Sequence, residues 1–206
     1  MASQDYSSVL YYSVTFPMQY NEILKIVYTQ ILGGTSNSTS GIFTKCDATF
    51  KTYFQTELSQ QDNDELLKSH NQNIQALKTN EVFIVYDGVF YKINDEFHIT
   101  TLFTGGKPVI QKNEDIDVNL NDELESQLGK QFKIKLEKLA ISKDFIVIGV
   151  GELNCSYYGN PTKHITIGLS KSGKKVFPKD SYTALSNGTI YEISNVVHGL
   201  TSKCTK

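Results

Sequence analysis

Two of the four histidines in this chain of 206 residues open the same tripeptide. His98-Ile99-Thr100 and His164-Ile165-Thr166 stand 66 residues apart, each at the head of a run with strand character. The runs are His98-Ile-Thr-Thr-Leu-Phe103 and His164-Ile-Thr-Ile-Gly-Leu169. Alternate side chains of a strand share a face, so each His projects with its Thr and the Ile turns away. Two such strands side by side would bring two imidazoles and two hydroxyls into one cleft. An imidazole exchanges its proton near neutral pH, with an unperturbed pKa of about 6.5. Opening a cyclic phosphodiester uses both halves of that behaviour. One group takes a proton from the attacking water, and another gives one to the departing sugar oxygen across the phosphorus. The Thr hydroxyls can donate to the non-bridging oxygens as charge grows there. The scheme asks for no metal and no cofactor. His70, in a polar stretch, and His198, near the C-terminal end, are given no role.

Composition narrows the partners. The formal net charge is -2, which argues against broad nucleic-acid binding, since that needs a basic footprint. The charge is unevenly spread: Cys155 to Lys206 holds seven Lys against Asp180 and Glu192. Lys163, Lys171, Lys174, Lys175 and Lys179 surround the second tripeptide and would draw an anionic substrate. All twenty basic residues are lysine, so a phosphate would be held by Lys, His, hydroxyls and backbone amides without guanidinium clamping. Tyr157 and Tyr158, just before the second motif, could stack on a base. Cys46, Cys155 and Cys204 are too few and too widely spaced for a zinc site or a disulfide framework. No apolar run is long enough to span a bilayer and no leader pattern is visible, so the expectation is an intracellular protein, cytoplasmic with the nucleus left open.

The positioning elements read as α+β and mostly antiparallel. Val9–Phe16 is β-branched and aromatic, a strand. Pro17 to Leu32 carries apolar residues at helical spacing, with Pro17 in the first turn and Gly33-Gly34 as the stop. Phe43–Phe54 looks extended. Residues 57–80 are polar and read as a partly helical, largely exposed insertion. Asp87-Gly88 between two apolar runs predicts a hairpin. Asp122–Leu128 reads as a short helix. Phe132–Ile141 alternates, with Phe132, Ile134, Leu136 and Lys138 expected on one face. Phe145–Val150 is a strand, Pro178–Leu185 a helix capped by Asp180 or Ser181, and Thr189–Val197 a last strand. No linker divides the chain, so residues 1–206 read as one domain.

The two motifs resemble the paired His-x-Thr/Ser signature of the two-histidine (2H) phosphoesterases. Lys175-Val-Phe-Pro-Lys-Asp-Ser-Tyr-Thr-Ala-Leu185 and Gly188-Thr-Ile-Tyr-Glu-Ile193 are similar to the stretch beyond the second motif in the cyclic phosphodiesterase domain of fungal and plant tRNA ligases. The likeness runs from about Glu81 to the end, and residues 1–80 match nothing nameable. The resemblance implies a two-lobed fold, antiparallel sheets with outer helices and a central cleft. It makes His98 and His164 the acid–base pair and Thr100 and Thr166 the phosphate donors, with base and acid not distinguished. It implies opening of a 2',3'-cyclic phosphate at an RNA end to a 2'-phosphate, by a stand-alone enzyme without ligase or kinase modules. Two alternatives stay open: hydrolysis of 2'-5' oligoadenylate or cyclic dinucleotide signals, as in viral immune evasion, and a non-catalytic module that binds nucleotides or RNA ends. The oligomeric state is not legible.

Overall fold

The computed structural model describes residues 5–34, 41–46, 49–52, 60–113, 116–171 and 177–206. In chain order the elements are β1 (Val9–Thr15), α1 (Tyr20–Gly34), β2 (Gly41–Cys46), β3 (Thr49–Thr52), α2 (Gln60–Ser69), α3 (Asn71–Gln75), β4 (Val82–Tyr86), β5 (Val89–Ile93) and β6 (His98–Phe103). Next come β7 (Ile110–Gln111), β8 (Val118–Asn119), α4 (Leu120–Glu125), β9 (Gln131–Ile141), β10 (Phe145–Leu153), β11 (His164–Ser170), a 3₁₀ turn (Pro178–Thr183), α5 (Ala184–Asn187) and β12 (Thr189–Thr205). The chain is α+β, dominated by a large antiparallel sheet. Ten described strands pair in the order β3-β2-β4-β5-β11-β10-β9-β12-β1-β6, and β7 pairs with β8 beside them. Hydrogen bonding is continuous from one edge of this sheet to the other, where the family resemblance implies a sheet in each of two lobes. The long strands β9 and β12 supply that continuity.

Local chemistry accounts for most boundaries. Asp87 (φ 49°) and Gly88 (φ 74°) both sit in the left-handed region, so β4 and β5 join through the two-residue turn that their sequence predicts. Pro17 lies in a turn ahead of α1, which starts at Tyr20 rather than at the proline. The amide of Gln19 bonds the Phe16 carbonyl there, and that of Ile23 bonds Gln19. The α4 helix begins at Leu120, two residues before the sequence suggests, because the Asn119 side chain accepts from the Asn121 amide and caps it. In the polar stretch, α2 and α3 are helical, and α3 docks through buried Ile74, with Leu77, against Phe43, Phe83, Val85 and Phe90. Residues 57–59 lie outside the described residues, as does the loop read at 35–40.

The main core sits on the face opposite the two motifs' histidines. It joins Ile23, Leu24, Val27 and Ile31 of α1 to Ile99, Ile165 and the inward residues of β9, β10 and β12. Burying each of these large apolar chains contributes roughly 1.5–3 kcal/mol. Lys138 does not share a face with Ile134 and Leu136; it is exposed. Pairing steps from Lys138–Gly149 to Leu136–Val150, so Glu137 is an extra residue, a bulge. Beyond it Leu139 and Ile141 turn inward in place of Lys138. β12 continues eight residues past Val197. Its first part pairs with β9 and its last part, Leu200–Thr205, pairs with β1. The twist and bulges of the sheet return its edge strand β6 to the neighbourhood of β11, despite the strands that separate them in the pairing order.

Candidate functional site

The two His-x-Thr strands are built alike. β6 pairs with β1 as His98–Thr15, Ile99–Val14 and Thr100–Ser13, then skips Thr101 and resumes at Leu102–Tyr12 and Phe103–Tyr11. β11 pairs with β10 as His164–Gly149, Ile165–Ile148 and Thr166–Val147, then skips Ile167 and resumes at Gly168–Ile146 and Leu169–Phe145. Each motif thus carries a bulge immediately after its Thr. In each, the Ile is buried in the core and the His and Thr are half-buried on the other face.

A reciprocal brace holds the strands together. The bulge carbonyl of Thr101 accepts the Tyr158 amide (2.8 Å), from the segment leading into the second motif. The bulge carbonyl of Ile167 accepts the Asn94 amide (2.9 Å), from the segment leading into the first. Asn94 also donates from Nδ2 to the Thr166 carbonyl (2.8 Å), and its own carbonyl accepts the Tyr20 hydroxyl (3.0 Å). Gly159 lies so close to β6 that a Cβ there would stand 2.6 Å from the Thr100 carbonyl oxygen.

Between the strands lies an open cavity of about 550 Å³, within the size range of small-molecule sites. His98, Thr100, His164 and Thr166 line it together with Tyr157, Tyr158 and Lys179 of the sequence candidates. Lys163 and Lys171 do not line it. Lys163 sits over the Tyr157 ring, Nζ 5.5 Å from its centroid, and Lys171 is exposed with its amide on the Phe90 carbonyl. Lys174 and Lys175 lie outside the described residues. A second cavity, lined by Phe16, Tyr20, Asp95 and Glu96 among others, opens beside the first motif's entry segment.

The two histidines differ in their supports. His164 holds Nδ1 2.7 Å from the Thr162 carbonyl, which fixes the proton on Nδ1 and leaves Nε2 for the cavity. His98 stacks on Tyr11, ring centroids 5.5 Å apart and planes 21° apart. Burial holds His98 below the ordinary imidazole value, with Glu96 pulling it up and His164 pushing it further down. Burial also lowers His164, against the pull of its Thr162 bond.

The threonines differ as well. The Thr166 hydroxyl lies 2.6 Å from that of Ser181, which is fully buried in the 3₁₀ turn. Ser181 therefore serves the motif rather than capping the helix. The cap position belongs to Phe177, and Asp180 lies inside the first turn. Sequence reasoning missed Tyr11, Asn94, Phe103, Asn160 and Pro178 on the cavity wall. Only the bulge after Thr100, invisible in the alternation, turns Phe103 to the His98 side.

No family model matches the chain, and no curated protein matches it. Among the described residues no three His, Cys, Asp or Glu side chains are grouped so as to hold a metal ion, and no helix is long and apolar enough to cross a membrane. Two cavity-lining imidazoles of lowered proton affinity and two hydroxyls can exchange protons with a bound phosphate ester, and Lys179, whose Nζ lies 5.7 Å from the Phe177 ring centroid, adds a positive charge at the wall.

Proposed function

We propose that this chain is a metal-independent phosphodiesterase that opens 2',3'-cyclic phosphate ends of RNA to 2'-phosphates, in a two-histidine phosphoesterase fold. The observation that carries the reading is the matched pair of bulged His-x-Thr strands lining one cavity. In the reaction, a water oxygen bonds to phosphorus as the bond from phosphorus to the 3' oxygen breaks. One imidazole takes the water's proton and the other protonates the 3' oxygen, leaving the 2'-phosphate. Thr100 and Thr166 donate to the non-bridging oxygens, and Lys179 offsets the charge of the phosphate.

The test is a substrate panel on the full chain: 2',3'-cyclic AMP, an oligonucleotide ending in a cyclic phosphate, 2'-5' oligoadenylate and cyclic GMP-AMP. The RNA-end reading expects turnover of the first two, unaffected by EDTA. His98→Ala and His164→Ala should each slow it by about 10²- to 10⁴-fold. Turnover confined to the last two substrates would move the same chemistry to nucleotide signals. Binding without turnover of any would make the chain a recognition module. An active double His→Ala variant would remove the mechanism.

A further inference from the structure

The second cavity, of about 480 Å³, shares no lining residue with the first, and its size too is that of a small-molecule site. In a regular strand the consecutive side chains of Asp95 and Glu96 would point to opposite faces. The chain bends at both residues instead, and both carboxylates line the cavity. Among the described residues neither has a hydrogen-bond or ion-pair partner. Lys92, the nearest lysine before them, is committed to Glu81. No Lys or His among the described residues lines the cavity, in a chain of twenty lysines. Like charges held together without a counter-charge repel, and low-dielectric walls focus their field into the space between them. Folding gains nothing from that arrangement; a positively charged ligand does.

The rest of the lining is of another kind. Pro17 is exposed, and the half-buried Tyr20 ring lies stacked on buried Phe97, centroids 4.5 Å apart and planes 15° apart. A divalent metal ion would use the carboxylates alone, since it asks for several oxygen ligands and gains nothing from a ring. An ammonium on an alkyl chain uses both parts. Its charge pairs with a carboxylate and is drawn to a ring face, while its methylenes cover apolar surface. We propose that this cavity binds an aliphatic diamine or polyamine, with one ammonium on Asp95, a second on Glu96 and the carbon chain along Pro17 and Tyr20. Binding there needs no turnover at the histidines.

The experiment titrates the full chain, at fixed ionic strength, with 1,4-diaminobutane, spermidine, butylamine, 1,4-butanediol and Mg²⁺, following heat and amide chemical shifts. The variants are the double Asp95→Asn, Glu96→Gln and, as a control for net charge, Glu65→Gln on the exposed surface of α2. 1,4-Diaminobutane and spermidine should each bind at a single site, with shifts centred on Tyr20, Asp95, Glu96 and Phe97. Butylamine should bind several-fold more weakly and 1,4-butanediol not at all. The double variant should weaken both polyamines by about 2- to 30-fold, the worth of two exposed ion pairs, and Glu65→Gln should change nothing. Equal affinity for butylamine, Mg²⁺ binding as tightly with the same shifts, an unchanged double variant, or a loss matched by Glu65→Gln would overturn the site. A wild type that binds the diamine and turns over no phosphodiester keeps this site and ends the phosphodiesterase reading. One that turns over phosphodiesters and binds no diamine does the reverse.

Discussion

At the scale of single residues, the motif's two halves are chemically unequal. If Thr166 is to donate to a phosphate, Ser181 must donate to Thr166, giving a chain of two hydroxyls in which each bond polarises the next. Among the described residues the Thr100 hydroxyl has no such partner. Ser181→Ala should therefore lower kcat by up to about tenfold with little change in the Michaelis constant, and should cost nothing further in a Thr166→Val background. Additive losses would make Ser181 a packing residue only. The histidines also set the pH dependence. Both are held below about 6.5 by burial, so in the free protein the charged form of either requires a lower pH than in a peptide. The kcat/KM profile should be a bell with its maximum below about pH 6.5. The kcat profile should lie at higher pH, because a bound phosphate favours imidazolium. The two limbs belong to the pair jointly. A rate that climbs steadily to about pH 9 would rule out the acid–base pair.

At the scale of elements, the loop 154–160 walls the cavity with Tyr157, Tyr158, Gly159 and Asn160, and α4 holds it. Glu123 accepts from both Ser156 and Tyr158, and Gln127 exchanges two bonds with Ser156. These bonds hold the Glu123 carboxyl below its ordinary value. Glu123→Gln should loosen the loop, raising the Michaelis constant several-fold while kcat falls less. Gly159→Ala, which pushes the loop off the Thr100 carbonyl, should reduce both activity and Tm. The hairpin at Asp87-Gly88 and the two His strands were legible in the sequence because local turn chemistry and alternation set them. The 3₁₀ turn's use of Ser181, the exposure of Lys138 and the placing of Phe103 on the His98 side were not. Each depends on a bulge or on a hydroxyl partner distant in sequence, and neither leaves a mark in periodicity. Lysine abundance near the second motif suggested a field over the site, yet of the lysines around that motif only Lys179 reaches the wall among the described residues.

At the scale of the whole molecule, the first motif hangs from the last strand. β6 is attached to the sheet through β1, and β1 through the final third of β12. Tyr12 and Lys203 add side-chain ties to Glu125 of α4 (both 2.8 Å). Thr201 directs its amide to Lys130, so Ser202 directs its own toward β1. Ser202→Pro should remove that ladder bond, lower Tm by several degrees and abolish turnover, though it removes none of the cavity's catalytic side chains.

The pairing of Val9 with Thr205 also orders events in time. As the chain leaves the ribosome, residues 160–170 can meet their partners β10 and β5 at once, since both are already made. The strand bearing His98 emerges far earlier, yet its support cannot close until residue 205 has appeared. The earlier-made half of the site is thus the later one to be fixed. Contacts of such long range fold slowly. In pulse-labelling during refolding, the β11 amides should gain protection before those of β6, with ligand binding recovered only alongside β6.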